Sequence, residues 1–263
     1  MVAVDAAHAI RASTGEMEAA YPARSGEIPG ASTLRCSIFG KKKDMDIHQA
    51  LQQRRSVRAF LPQTVSGATV RELLEAASQA PSGGNMQPWR VTAVGGQALG
   101  ALCARAKETE AVQRPGLSYP AGLWEPYRSR RFENGEDLYR ALNIGREDKA
   151  ARLAQLAKNG QMFGAPVGIF VAVEERMGYA QWVDLGIYLQ SFMLLAVEKG
   201  LATCAQGFWR MYNDMLIEQL ALPDGYQIAF GIALGYEDVS APINQWRASR
   251  AASNEWLALQ GLD

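Results

Sequence analysis

The chain has 263 residues, of which 48% are hydrophobic and 21% charged, with 27 basic and 27 acidic side chains. This composition is typical of a soluble globular protein and excludes a collagen-like, coiled-coil or largely disordered chain. The balanced charge argues against a nucleic-acid-binding protein, which usually carries a basic excess. Charge-free runs stay below the roughly 18 residues of a membrane span, and the N-terminus lacks the apolar region of a signal peptide. We therefore predict a cytoplasmic protein with no nucleic-acid or membrane partner.

Cysteine and histidine, the residues of many metal and hydrolase sites, are scarce in this chain. Cys36, Cys103 and Cys204 form no CxxC pair, and the two histidines are His8 and His48. A His-rich zinc site cannot be built from two histidines, and the sequence contains no GxSxG, Walker A or GxGxxG pattern. The sequence thus predicts no bound metal and none of the standard nucleotide-binding loops.

The first 44 residues differ in character from the remainder of the chain. They are rich in Ala, Ser, Gly, Glu and Arg and show little hydrophobic periodicity. We interpret residues 1–44 as an N-terminal extension that is either flexible or wraps over the body or a partner subunit. Residues 45–263 are predicted to form the folded domain.

Hydrophobic periodicity indicates six helices and three strands in this domain. The predicted helices span 46–51, 69–80, 98–107, 147–158, 181–199 and 213–220, and the predicted strands span 89–94, 167–173 and 226–234. A capping box at Thr69–Glu72 is predicted to open the second helix. Helices and strands alternate, so the class is α/β or α+β. The helix over 181–199 is apolar on nearly every side, which favours a position at the domain centre or at a subunit interface.

Two segments depart from this regular pattern. Residues 109–140 are broken by prolines and rich in aromatic side chains, which is typical of either a packed insertion or a segment that covers a site. Residues 241–263 are mostly polar with interspersed Trp and Leu, and we interpret them as a C-terminal arm.

The first candidate site motif is the basic run at residues 54–58. In an extended chain Arg54, Ser56 and Arg58 point one way, whereas Arg55 and Val57 point the other. Guanidinium groups make bidentate contacts with phosphate, so this side can hold a phosphate and the electron-rich edge of a ring. A solvated basic helix end that complements the helix dipole is the alternative interpretation.

The second motif is the segment Pro81–Trp89, which joins a helix to a strand. Its glycine pair allows backbone N–H groups to approach a ligand, and Ser82, Asn85 and Gln87 supply donors and acceptors that suit a heterocycle edge. A plain connecting loop is the alternative.

The third motif, Thr203–Trp209, follows the apolar helix. Gly207 can expose its own N–H to a ligand, or the segment is merely a tight turn, and Cys204 is expected to be buried rather than nucleophilic. The fourth motif is the pair Arg247 and Arg250 in the arm, which taken alone would be surface arginines.

Together the four motifs resemble the FMN-dependent nitroreductase family, and the resemblance covers residues 45–263. It implies an α+β sandwich with a central mixed sheet flanked by helices, assembled as an intertwined homodimer. The two FMN sites would lie at the subunit interface, the apolar helix would be the interface helix, and the arm would extend onto the partner. The 109–140 segment would cover the active site.

The resemblance also implies roles for individual residues. Arg54 and Arg250 resemble the phosphate ligands, with Arg247 as a third, Ser56 would lie beside the phosphate and ribityl chain, and Arg58 at the N1–O2 edge of the flavin. The implied cofactor-binding residues are Arg54, Arg55, Ser56, Arg58, Pro81, Ser82, Gly83, Asn85, Gln87, Asn159, Gln206, Gly207, Arg247 and Arg250.

Other implied roles concern the partner subunit and the substrate. The 81–87 loop would reach the cofactor from the other subunit, Gln206 and Gly207 would face flavin N5, and Asn159 would lie at the pyrimidine edge. Trp124 and Tyr127 would contact the substrate. Gln206 is a departure from the family pattern, because many relatives carry Glu at this position.

The implied activity is reduction of nitroaromatic compounds or quinones at the expense of NAD(P)H, by ping-pong two-electron transfer with FMN carrying the chemistry and no catalytic side chain. The same scaffold resembles reductive dehalogenases and ene-reductases, and a non-catalytic flavin-binding sensor or storage protein is a further alternative.

Overall fold

The computed structural model describes residues 45–113, 117 and 119–262 of the chain. The predicted N-terminal extension lies outside the described residues. Within them the helices are α1 (Ile47–Gln53), α2 (Gly67–Ala77), α3 (Gly96–Glu108), α4 (Tyr127–Ala141), α5 (Lys149–Ala157), α6 (Tyr179–Glu198), α7 (Asn213–Gln219) and α8 (Pro242–Gln245). The strands are β1 (Arg90–Gly95), β2 (Val167–Glu174), β3 (Ala202–Gln206) and β4 (Tyr226–Gly235).

The four strands form one antiparallel sheet in the order β1-β2-β4-β3. The α+β class is confirmed, but the sheet of the described chain is not the mixed sheet that we expect from the resemblance. Its parallel pairing is confined to a single bridge between Ser56 and Thr203. Because residues 54–57 meet β3 at this one bridge, they do not form a fifth strand.

Both faces of the sheet are covered by helices, which explains the continuous apolar run of β2. Ile169 and Val171 face a cluster made with α2 and α6, whereas Phe170 and Ala172 face a second cluster made with α3 and α7. Successive side chains of a strand point to opposite faces, so a strand buried on both sides must be apolar throughout.

Helix α6 is buried along one side only, although its sequence is apolar all round. Leu185, Tyr188 and Phe192 pack into the core, but Val183 and Ile187 on the other side are 64% and 37% exposed. Within the described chain α6 therefore lies on the surface, not at the domain centre. Its length and composition would also suit a membrane span, a test that core helices of soluble proteins pass as well.

The predicted capping box at Thr69 is wrong by three residues. Helix α2 begins at Gly67, and the Ser66 hydroxyl oxygen accepts the Thr69 backbone N–H at 3.0 Å. Ser66 has extended backbone angles and Thr69 is already helical, so Ser66 is the N-cap residue.

Three elements of the structure were not predicted, namely β3, α4 and the four-residue helix α8. The segment interpreted as a turn contains β3, which pairs with β4 from Ala202 to Gln206. The 109–140 excursion contains α4, which has no buried residue and so lacks the apolar stripe that indicates a helix.

A tight contact joins β4 to the segment that follows β3. Trp209 is fully buried, edge-on to Phe170 at 5.3 Å, and its indole lies over Gly231 of β4. A Cβ atom at position 231 would overlap the indole ring. Glycine at 231 is therefore what allows Trp209 to lie flat against the strand.

Candidate functional site

A cleft of about 440 Å³ lies between the end of α1, the 54–58 segment, α4 and the C-terminal arm. Its lining residues are Leu51, Gln52, Arg54, Arg55, Ser56, Arg58, Asn134, Trp246, Arg247, Ala248 and Arg250. They include five arginines and no carboxylate, so we name it the arginine cleft.

The segment 54–58 meets β3 at Ser56, and its side chains alternate only in part, because Arg55 also lines the cleft. The Val57 N–H donates to the Thr203 carbonyl at 3.0 Å, and the Val57 side chain is buried. On the same side Arg55 donates to Glu237 at 2.5 Å, which compensates its charge. Arg54 and Ser56 are thereby directed toward the arginine cleft.

Arg247 lies at the C-terminal end of α1. It donates to the carbonyl oxygens of Gln52, Gln53 and Arg54, which have no partners within the helix. This position also places its positive charge at the negative end of the helix dipole. Arg247 thus fixes the arm against α1 in the immediate neighbourhood of Arg54.

Positive charge accumulates around Arg54. Burial, followed by repulsion from Arg250 and Arg247, lowers the pKa of Arg54 below its ordinary value. A bound anion would relieve this repulsion, and planar guanidinium groups are the preferred ligands of phosphate. The donor set therefore fits a phosphate group.

The 81–87 loop does not line the arginine cleft of its own chain. It turns at Gly83–Asn85, and its polar groups largely bond to one another: Gln87 N–H donates to Ser82 Oγ at 2.9 Å. Two bonds join the loop to α6: Gly83 N–H donates to Asp184 Oδ1 at 3.2 Å, and Gln181 Nε2 donates to Met86 Sδ at 3.7 Å. Asn85 and Gln87 have positive φ angles of 57° and 48°, so the loop is held in a conformation that these residues seldom adopt.

The Gln206 side chain faces the protein interior. Its amide nitrogen donates to the backbone oxygen of Asn159 at 2.9 Å and to Asn159 Oδ1 at 3.1 Å, and its oxygen accepts from Trp209 Nε1 at 3.4 Å. Asn159 Nδ2 in turn donates to the Leu156 carbonyl. The backbone at Gly207 remains open to a ligand. Gly207 is exposed, and a Cβ atom placed on it would meet no other atom within 4 Å.

The predicted substrate contacts Trp124 and Tyr127 are 57% and 50% exposed and meet edge-on at 5.6 Å. They do not line the arginine cleft. Helix α4, which starts at Tyr127, is joined to the arm by the Arg130–Glu255 ion pair at 2.9 Å and brings Asn134 to the cleft.

Three residues of this region were not predicted as site residues from the sequence. Asn134 and Trp246 line the cleft, and Asn244 bonds to the backbone beside Arg58. Asn134 lies in a helix that was not predicted, and the other two lie in the arm, where local pattern carries no information about distant contacts. Pro242 at the first position of α8 was the one local signal that the arm contains a short helix.

Comparison with known proteins places the chain in a family. The family model described as "Nitroreductase family" matches residues 51–236. The nitrobenzene nitroreductase of Ectopseudomonas oleovorans is 35% identical over 215 residues, which cover 80% of this chain and 95% of that protein. The 4-nitrobenzoate reductase of Pseudomonas putida is 34% identical over 221 residues, with coverage of 83% and 97%.

A solved structure agrees with these relatives. The FMN and NADPH-dependent nitroreductase NfnB from Sphigopyxis sp. strain HMH superposes with a TM-score of 0.78 at 42% identity, over 83% of this chain and 100% of that one. The chain belongs to the nitroreductase family.

Proposed function

We propose that the protein is an FMN-dependent oxidoreductase that oxidises NAD(P)H and reduces nitroaromatic compounds. The observation that carries this proposal is the arginine cleft, in which five guanidiniums meet without a lining carboxylate. Such a site requires an anion, and the phosphate of FMN satisfies it. Relatives named as nitrobenzene and 4-nitrobenzoate reductases support the substrate class.

Within the cleft, Arg54 and Arg250 hold the phosphate, and Ser56 lies toward the ribityl chain. Arg58 is the cation for the N1–O2 edge of the ring, where it favours the reduced, more negative form. Arg247 contributes mainly through α1, since its guanidinium is engaged with three carbonyls there. Arg55 forms the wall of the cleft and is neutralised by Glu237.

The rest of the site belongs to a second copy of the chain. The 81–87 loop is exposed and lies away from the arginine cleft of its own chain, and α6 beside it leaves Val183 and Ile187 exposed. In a homodimer that buries this face of α6, Pro81, Ser82, Gly83, Asn85 and Gln87 would reach the cofactor of the partner. Gln206 and Asn159 would shape the floor near Gly207.

Bound FMN supplies the two-electron chemistry, taking a hydride from NAD(P)H and delivering electrons to the nitro group. The chain's own contribution is to bind, orient and tune the cofactor. Gly207 offers a backbone N–H to the ring, and Trp124 and Tyr127 provide aromatic surface for a nitroarene. The donor and the oxidant would use the same open face in turn, which gives ping-pong kinetics and admits quinones as well.

The test is an anaerobic absorbance titration of the FMN-loaded protein with NADPH, followed by addition of nitrobenzene, 4-nitrobenzoate or a quinone. We expect the flavin bands to bleach and then to recover with the oxidant. Bands that persist despite excess NADPH and NADH would point to a sensor or storage protein. Protein that takes up no FMN would contradict the proposal altogether.

A further inference from the structure

Asn244 lies outside the arginine cleft but is bonded to its backbone. It is 2% exposed and belongs to the four-residue helix α8 of the arm, just before Arg247 and Arg250. It is uncharged and does not line the cleft. Its contacts nevertheless reach the residue that faces the cofactor edge.

All three hydrogen bonds of the Asn244 carboxamide go to backbone groups. Oδ1 accepts the Arg58 N–H at 2.9 Å, and Nδ2 donates to the Ala59 carbonyl at 2.8 Å and to the Asp238 carbonyl at 2.9 Å. The side-chain oxygen thus accepts one backbone N–H, and the side-chain NH₂ group donates to two backbone carbonyls. A carboxamide is the side chain that supplies this combination.

The neighbouring residues are held by other means. Val57 N–H bonds to the Thr203 carbonyl and Leu61 N–H to the Tyr236 carbonyl, as in a strand edge. At Arg58 the strand-like pairing is interrupted, and Asn244 replaces the missing strand. Removing its side chain therefore frees the backbone at Arg58 and leaves these flanking bonds in place.

We infer that Asn244 is a positioning residue of the cofactor site, which fixes the backbone from which Arg58 extends and joins it to the arm. Both walls of the arginine cleft then move as one unit. This inference rests on the proposed function, because FMN is the ligand that reports on it. The role is distinct from direct contact, since Asn244 is buried behind the cleft wall.

The experiment compares Asn244→Ala and Asn244→Asp with wild type, using FMN as the probe. Asn244→Ala is expected to raise the Kd for FMN about tenfold, since a well-made hydrogen-bond set is lost behind the site. It is also expected to shift the midpoint potential of bound flavin to more negative values, in the direction of Arg58→Ala, because Arg58 no longer holds its place at the reduced ring.

Asn213→Ala is the matched control. Asn213 Oδ1 also accepts a backbone N–H, that of Ile228 at 2.8 Å, but it lies away from the cleft. Asn213→Ala is expected to lower the melting temperature and to leave the FMN Kd and the potential unchanged. A purely structural role for Asn244 would make the two variants alike.

Asn244→Asp keeps the size and the bond to Arg58 N–H but places a carboxylate oxygen against two carbonyls. We expect its Kd to rise at least as much as that of Asn244→Ala. The inference is overturned if either Asn244 variant keeps the wild-type Kd and potential, or if Asn213→Ala changes both equally. Failure of the wild type itself to bind FMN would instead overturn the proposed function.

Discussion

The arginine cleft and the 81–87 loop are both rich in polar groups, but the two regions satisfy them differently. The loop bonds mostly to itself, through Gln87 to Ser82 and Asn85, and to α6 through Asp184. In the cleft, by contrast, Arg54, Arg58 and Arg250 share one space with no lining carboxylate. The loop satisfies most of its own polar groups and faces outward, whereas the cleft is positively charged and favours a bound anion.

From this difference we propose that one chain carries two unlike halves of a site. The arginines that line the cleft all come from a single subunit. Apart from its bonds to α6, the loop bonds within itself and faces outward, as is expected of a segment that is supplied to a partner.

The largest effect is expected at the charged half. Arg54→Ala removes a charge-assisted contact to phosphate, which is worth roughly 1.5–3 kcal/mol, or a rise of about 10- to 100-fold in the FMN Kd. Fluorescence titration with FMN measures it. Arg71→Ala, an exposed arginine paired with Glu75 on α2, is the matched control and should leave the Kd unchanged. Equal Kd values for both variants would show that the phosphate lies elsewhere.

The second prediction asks whether the two halves come from different subunits. One chain carries Arg54→Ala, and the other carries Ser82→Ala together with Asn85→Gly. Glycine is used at position 85 because it readily adopts the positive φ of this residue. With FMN held near the wild-type Kd, each homodimer should lose most of its activity. A heterodimer purified through two tags should recover about half of the wild-type activity, because one of its two symmetry-related sites is intact.

An inactive heterodimer would place the cleft and the loop of each site in the same subunit. A heterodimer that does not form, with wild type monomeric by light scattering at low micromolar concentration, would contradict the homodimer itself.

A smaller effect is expected from the support of the loop. Asp184→Ala removes the acceptor of the Gly83 N–H and should raise the FMN Kd about fivefold, since the loop then keeps only the long Gln181–Met86 bond to α6 among the described ones. Asp184→Asn retains Oδ1 and should stay within about twofold of wild type by the same reasoning. If both variants raise the FMN Kd equally, the charge of Asp184 matters and its hydrogen bond does not.

The smallest effect concerns the attachment of α4 and depends on pH. Hydrogen bonds from Arg152 and Arg146 lower the pKa of Glu136 from 4.5 to about 2. A carboxyl whose pKa is lower in the folded state stabilises the fold above its unfolded pKa and ceases to do so as the pH falls through the folded value. Wild type should therefore melt above Glu136→Gln at neutral pH, and the difference should vanish between about pH 4.5 and pH 2. A difference in melting temperature that is constant with pH would contradict the ion-pair origin.

The local sequence pattern was sufficient to predict each helix or strand that buries a regular stripe of its own apolar residues. The predicted helix 98–107 and strand 226–234 correspond to α3 and β4 because periodic apolar residues in each face the core. The orientation of Arg54 against Val57 was accessible for the same reason, since alternation in an extended chain is a local property.

Elements that bury few residues, and contacts between residues far apart in the chain, could not be predicted from the sequence. Helix α4 buries nothing, and β3 has only five residues between Gly200 and Gly207, so neither produced a readable period. Asn244 lies 186 residues from Arg58, and nothing near either residue indicates that they meet. The all-round apolar character of α6 was correctly seen, but a single chain covers only one side of it.

The contact between Trp209 and Gly231 has a consequence for anyone who re-engineers this protein. A saturation library at position 231 should return glycine almost alone, even though this residue is not part of the arginine cleft lining. Selection would then score the position as if it were a catalytic one. Libraries that aim to change substrate range should therefore leave position 231 out.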